Sequence, residues 1–416
     1  MKINIKKRFN MAKQAIKKGA GIVKKSGLAA FKEKKGMIYV KDENKSEEDL
    51  AIISNADKAM DWYYMPTAFQ EATKLPGIPK GYITSVIGHS NTGKSTLINH
   101  AIVAAQKQGD IPVIFDTENS FSFEYAVKMG FNATPIYDDV KVEVIDPETG
   151  EYKYEVRNTI VNWEGDFLYY NTTKLAEQYG TFDYATGKET SKNRGEAVLE
   201  DIAHCMQELI KAQRDEEINT GLFFVWDSVG SIGCFKEFKS LAGNNMWAAG
   251  ALSTAFSKII NDLIPTSRKV SSKYTNTMLY INKVWLDNTT SPTGPIMKTK
   301  GGNAFKYATR LEILMGGQLT SGVKRLTATA KGVNYSYGTE TKIKILKNHL
   351  NAPHNVIYEG PLVTTDTGFI SPNNLDEYKK NRVSDILKEL QLLSENRFEL
   401  TEKDIDYTIV EEDEFV

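Results

Sequence analysis

Residues 88–96 read GHSNTGKST, between an apolar run at 82–87 (YITSVI) and a helix-like run at 97–108 (LINHAIVAAQKQ). The octet GHSNTGKS fits G-x-x-x-x-G-K-[ST] without departure, in the strand–loop–helix context that the pattern requires. Gly88 and Gly93 let the backbone turn tightly, so that the N–H groups from His89 through Ser90, Asn91 and Thr92 to Lys94, Ser95 and Thr96 point inward at phosphate oxygens. The helix that follows offers its positive end to the same anion. Lys94 reaches the β- and γ-phosphates, and the Ser95 hydroxyl suits Mg²⁺. A nucleotide with Mg²⁺ is therefore expected, and the loop alone says little more.

Outward from this loop the chain alternates. Apolar strands are expected at IPVIFD (111–116), LFFVWD (222–227), TMLYINKV (277–284), RLEILMG (310–316) and TKIKILKN (341–348). Helices are expected at 97–109, 194–215 and 246–263. Short apolar strands interleaved with helices indicate a mainly parallel sheet covered on both faces. Between Phe131 and Tyr170 the pattern breaks: KVEVIDPETGEYKYEV (141–156) alternates with period two around a Pro-Glu-Thr-Gly turn, which reads as an inserted antiparallel hairpin.

Two strand ends carry acids. Asp227, followed by Ser228, closes LFFVWD, where a carboxylate holds Mg²⁺ through water; a strand-end aspartate also caps turns. Glu118 lies just past IPVIFD, well placed to orient and deprotonate an attacking water; turn or helix capping is the alternative there too.

Charge sets further bounds. The net charge is −1, so any nucleic-acid site is a local patch rather than an overall field. The first 36 residues are lysine-rich with one acid, Glu33, and Ile5, Phe9, Ala12, Ile16 and Ala20 suit one helical face; the end of the chain, ELTEKDIDYTIVEEDEFV, is strongly acidic. These ends read either as solvated tails or as a basic arm for DNA or a neighbouring copy, with an acidic tail competing for the same surfaces. Cys205 and Cys234 have no metal-type spacing, which argues for a reducing cytosol. No apolar run approaches a membrane span.

Several ordered stretches resemble the RecA family of recombinases, its phage-type (UvsX-like) members in particular. They run from about Met65 to Glu359: MPTAFQEATKLPGIPKGYITSVIGHSNTGKST, FDTENSFSFEYAVKMGF, VWDSVGSI, MLYINKV, KTKGGNAFKYATRLEI and TKIKILKNHLNAP. The resemblance implies an α/β, RecA-like P-loop ATPase core at 61–350, with an insertion at about 132–192, flanked by small additions: a basic arm and linker at 1–60 and a C-terminal region with an acidic tail at 351–416. It implies that the nucleotide is ATP, that Glu118 is the catalytic glutamate, that Asp227 is the Walker-B acid, and that Lys347 reaches the neighbour's ATP.

The resemblance also places two DNA loops, at about 234–245 and 285–300. Lys236, Lys239, Lys298 and Lys300 are then phosphate contacts, Trp285 (with Phe235 and Phe238) a stacking surface, and Gly301, Gly302 and Asn303, at the core of the following stretch, further DNA-binding residues. The Gly, Pro and Ser content of the second loop suggests disorder without DNA. Lys283 stands where glutamine is common at the γ-phosphate sensor, so it either binds the γ-phosphate as a charge or points at DNA, and His349 stands where a second lysine is common. The expected activity is that of a DNA-dependent ATPase forming helical filaments on single-stranded DNA and pairing it with homologous duplex in recombination and repair, with single-strand-binding or mediator proteins as further partners, in the (host) cytoplasm. A hexameric helicase-type motor and a nucleotide-gated DNA-binding mediator with little turnover are the alternatives.

Overall fold

A computed structural model describes residues 56–145, 152–239, 246–287, 296–299, 302–330, 333–350 and 357–382, with short pieces at 385, 405–406 and 409–411. The basic arm lies outside the described residues.

The main elements are, in order, β1 (Ile83–Gly88), α1 (Lys94–Lys107), β2 (Ile111–Asp116), β3 (Leu168–Asn171), α2 (Leu199–Arg214), β4 (Leu222–Asp227), α3 (Met246–Lys258), β5 (Thr277–Asp287), β6 (Leu311–Met315), β7 (Val333–Asn348), β8 (Glu359–Thr365) and β9 (Gly368–Ile370). They assemble in the order β9-β8-β7-β6-β1-β5-β4-β2-β3 within a thirteen-stranded sheet. From β6 to β3 every neighbouring pair is parallel, and β7, β8 and β9 extend the sheet antiparallel. Every strand expected from the sequence is present.

Burial on both faces explains why the central strands are apolar throughout rather than alternating. Val86, Ile114, Val225, Leu279 and Ile281 pack on one side against Leu97, Ala101 and Ile102 of α1 and against Phe69. Val113, Phe115, Phe224, Trp226, Met278 and Tyr280 pack on the other against Ile202, Met206 and Ile210 of α2 and against Phe256. Adjacent residues of one strand thus serve opposite layers, as the pleat demands.

Two helices differ from expectation. α2 begins at Leu199 rather than 194, because Gly195 takes a left-handed φ of 78° and Asp201 folds back to accept the Val198 N–H at 2.8 Å. α3 gives way after Lys258 to a π-helical turn, Ile259–Leu263, before Ile264–Ser267.

The hairpin is longer than the alternation suggested. Among the described residues Thr134–Ile145 pairs only with Tyr152–Glu164, ending at Ile145 opposite Tyr152; the expected Pro-Glu-Thr-Gly turn lies outside the described residues. Its base is held by Trp163 stacked on Phe123, with ring centroids 5.1 Å apart. Not all of 132–192 stands apart from the core, since β3 pairs in parallel with β2. The sheet also continues past residue 350 through β8 and β9, and two short pieces of the acidic tail, Ile405–Asp406 and Ile409–Glu411, pair with Lys324–Ala330. Among the described residues no helix is long and apolar enough to cross a membrane.

Candidate active site

Register decides what meets what. β1, β5, β4 and β2 lie side by side with their carboxyl ends on one edge. Lys283 stands opposite Gly88, and Asp227 opposite Asp116. Ligands of open α/β sheets bind at such an edge.

The loop after β1 is built as its sequence implies. Gly93 has a left-handed φ of 89° and is the N-cap of α1, with no side chain capping the helix. A Cβ on Gly88 would come 2.2 Å from the Met315 carbonyl oxygen, so glycine is required there. Asn91 also takes a left-handed φ, of 62°. Thr92 Oγ1 donates to the His89 carbonyl at 2.9 Å, and the Lys94 ammonium donates to that same carbonyl. Lys94 is buried; desolvation pulls its pKa down to about 8, against the pull of Asp227 and Glu118. Ser95 faces solvent on the first turn, and Thr96 Oγ1 lies 3.1 Å from the Tyr125 hydroxyl. The buried His89 Nε2 has no partner. A buried ammonium whose hydrogen bond goes to a carbonyl, beside a helix start that no side chain caps, fits a polyphosphate.

The acids divide their roles. Asp116 is buried, and its carboxylate accepts the N–H groups of Phe121 at 2.9 Å and Ser120 at 3.2 Å and the Tyr169 hydroxyl at 3.0 Å. It therefore shapes the loop that displays Glu118. Asp227 is pushed up to about 7 by burial, reinforced by the charges of Glu118 and Asp116. A carboxyl raised chiefly by burial, with like charges beside it, is one that a hard cation would ionise, and Asp227, like the Ser95 hydroxyl, is an oxygen donor of the kind Mg²⁺ takes.

Glu118 is held by three groups. Ser228 Oγ donates to its Oε1, Ser231 Oγ donates to the same oxygen at 2.7 Å, and the Lys283 ammonium sits 2.9 Å from its Oε2. Partial burial raises its pKa, but these donors more than reverse that and hold it below the usual glutamate value. Thr117 stitches the two acidic loops together: its Oγ1 donates to the Ser228 carbonyl at 2.9 Å and accepts the Ser228 N–H at 3.0 Å, beside a cis Asp227–Ser228 peptide.

The structure thus brings Lys94, Asp227, Glu118 and Lys283 to one edge. It does not bring Lys347 there. Lys347 lies on β7 opposite Glu312, which pairs with Ser85, three residues back from Gly88, and its ammonium donates to the Lys306 carbonyl at 2.6 Å. Of the expected DNA contacts, Lys236 is exposed on the short helix Phe235–Lys239, and the Lys239 side chain falls outside the described residues. Trp285 pairs by backbone with Lys298, because Ile296–Thr299 runs antiparallel to the end of β5; the rims of the second loop are therefore ordered strand. Gly302 and Asn303 open the helix Gly302–Ala308, while Lys300 and Gly301 lie outside the described residues. Sequence reading missed Thr117 and Ser231: short polar residues near strand ends carry no periodic signal.

Residues 35–167 match the RecA N-terminal domain. Protein RecA of Aquifex aeolicus is 36% identical over 95 residues, covering 23% of this chain and 26% of that protein. Protein RecA of Nitrobacter winogradskyi is 32% identical over 127 residues, 30% of this chain and 31% of that protein. Protein RecA of Delftia acidovorans is 23% identical over 322 residues, 77% of this chain and 64% of that protein. The chain thus spans about a quarter to a third of the more similar relatives and under two thirds of the last. With its parallel central strands between two helical layers, the chain folds as a RecA-like α/β core, and the stretch 35–167 is similar to the RecA N-terminal domain.

Proposed function

We propose that this chain is a RecA-type recombinase: an ATPase that polymerises on single-stranded DNA as a helical filament and promotes homologous pairing and strand exchange. The observation that carries this reading is the meeting of Lys94, Asp227 and Glu118 at one edge of the parallel strands, past the ends of β1, β4 and β2, in a chain whose sequence is similar to RecA proteins. The phage-type assignment rests on the motif resemblance alone.

The loop amides and Lys94 hold the triphosphate, and Lys94 offsets charge on the transferred phosphoryl. Ser95 and, through water, Asp227 would hold Mg²⁺, which when bound supplies further positive charge. Glu118 takes a proton from the attacking water while its loop stays anchored through Asp116 and Thr117. Lys347, away from its own chain's loop, contributes charge at a neighbour's site. Lys236, Lys239, Lys298 and Lys300 contact DNA phosphates and Trp285 stacks on bases, so binding follows the backbone and not the sequence. Single-strand-binding or mediator proteins are further partners, and the compartment is the cytoplasm.

The test is the ATPase rate with and without single-stranded DNA, read beside negative-stain images of the same samples. DNA-stimulated hydrolysis with open helical filaments is expected; closed rings indicate a helicase-type motor instead. Glu118→Gln should lower kcat about 10²- to 10⁴-fold, the worth of a positioned general base, while ATP still binds. An unchanged rate in this variant removes Glu118 from the mechanism.

A further inference from the structure

Both oxygens of the Glu118 carboxylate are engaged from within the chain. Ser228 and Ser231 donate to Oε1, and their hydroxyls lie 2.8 Å from each other. The Lys283 ammonium takes Oε2. A carboxylate whose outward oxygen faces an ammonium is poorly placed to receive a proton from water.

The two sides of this clamp differ in kind. The hydroxyls belong to the turn after β4, where the Ser231 N–H donates to the Ser228 carbonyl at 3.2 Å. They are short side chains on a braced turn. Lys283 has a long, flexible side chain that is 54% exposed, so water screens its ion pair and the partner is exchangeable. Its backbone stands level with Gly88, the first residue of the phosphate loop. A polyphosphate seated in that loop would therefore compete with Glu118 for the Lys283 ammonium.

The geometry points to a division of labour resting on the reading of Glu118 as the base: Ser231 is a positioning residue for Glu118, and Lys283 is its removable counter-ion, drawn off by the nucleotide's polyphosphate. With Lys283 moved, Oε2 is free while Oε1 stays tethered to Ser228 and Ser231. Glu118 then accepts a proton as the water oxygen bonds to the γ-phosphorus; the bond from γ-phosphorus to the bridging oxygen breaks, and its electron pair leaves with ADP. The proton on Glu118 returns to solvent. Nucleotide thus uncovers the group that consumes it, and a base left unmasked without nucleotide is avoided.

Binding and turnover test the two parts separately, on the full-length chain. Affinity for a non-hydrolysable ATP analogue is measured for wild type, Glu118→Gln, Lys283→Met and the double variant. If Lys283 must leave Glu118 to bind phosphate, Glu118→Gln tightens binding about 3-fold or more, and that gain vanishes in the Lys283→Met background. Equal tightening in both backgrounds means that only a nearby negative charge was removed, and overturns the exchange. For Ser231, Ser231→Ala should lower kcat about 10-fold with analogue affinity unchanged, and Ser231→Thr, which keeps the hydroxyl, should recover it. An unaltered kcat in Ser231→Ala, or no recovery in Ser231→Thr, overturns the positioning role. These readouts are separable from the base assignment: a Glu118→Gln chain with normal turnover removes the base, whereas the affinity cycle reports the Lys283 exchange regardless.

Discussion

Asp116 and Glu118 stand two residues apart after one strand, yet environment gives them opposite work. Asp116 is spent on backbone N–H groups and Tyr169 in the interior; Glu118 reaches the site edge. A second acid–base pair is wholly structural. The Arg194 guanidinium, 4% exposed, contacts both oxygens of the fully buried Asp201 at 2.6 and 2.5 Å, and the Tyr184 hydroxyl donates to the same carboxylate at 2.8 Å. Removing one partner leaves a buried charge unanswered. Arg194→Met should therefore cost about 3–5 kcal/mol, whereas Arg194→Met with Asp201→Asn should cost less, both read by urea unfolding.

At the scale of elements, the turn between β8 and β9 docks on α1, the helix that carries the phosphate loop. The Phe369 N–H donates to His100 Nε2 at 2.9 Å, the two rings lie 5.0 Å apart, and a Cβ on Gly368 would meet the imidazole at 2.5 Å. The Tyr125 hydroxyl also donates to the Thr365 carbonyl at 2.7 Å. Burial, helped by Lys107, lowers the His100 pKa to about 4, so the ring is neutral and accepts that hydrogen bond. The unfolded chain takes up the proton near 6.5, whereas the folded one resists until about 4. His100 therefore contributes stability that is fully present above pH 6.5 and is lost as pH falls from there towards 4, by up to about 3 kcal/mol. Melting temperatures across that range should fall more steeply for wild type than for His100→Gln, which can still accept from Phe369 but does not titrate.

For the whole molecule, Lys347 lies away from its own phosphate loop, and the role proposed for it at a neighbour's site would make assembly part of the chemistry. If Lys347 serves a neighbour, Lys94→Ala and Lys347→Ala chains are each impaired alone. Mixed in equal amounts, they should regain about a quarter of wild-type ATPase, since a head-to-tail contact can join an intact loop from one variant to an intact lysine from the other. A mixture no more active than its parts would place Lys347 outside the site.

The phosphate loop and the strand ladder were legible in the sequence because both depend on local rules. Glycines are demanded at Gly88 and Gly93 by backbone geometry, and apolar runs such as LFFVWD are demanded by burial on two faces. Asp227 and Glu118 could be singled out for the same reason, as acids at the ends of such runs. Only the tertiary structure decided which ends are neighbours: β1 and β2 are consecutive in the chain but separated in the sheet by β5 and β4, and that order sets Lys283 beside Gly88 and within reach of Glu118. Pairing register between distant strands, and side chains such as Ser231 that gain a role only through a contact 113 residues away, leave no local periodicity to read.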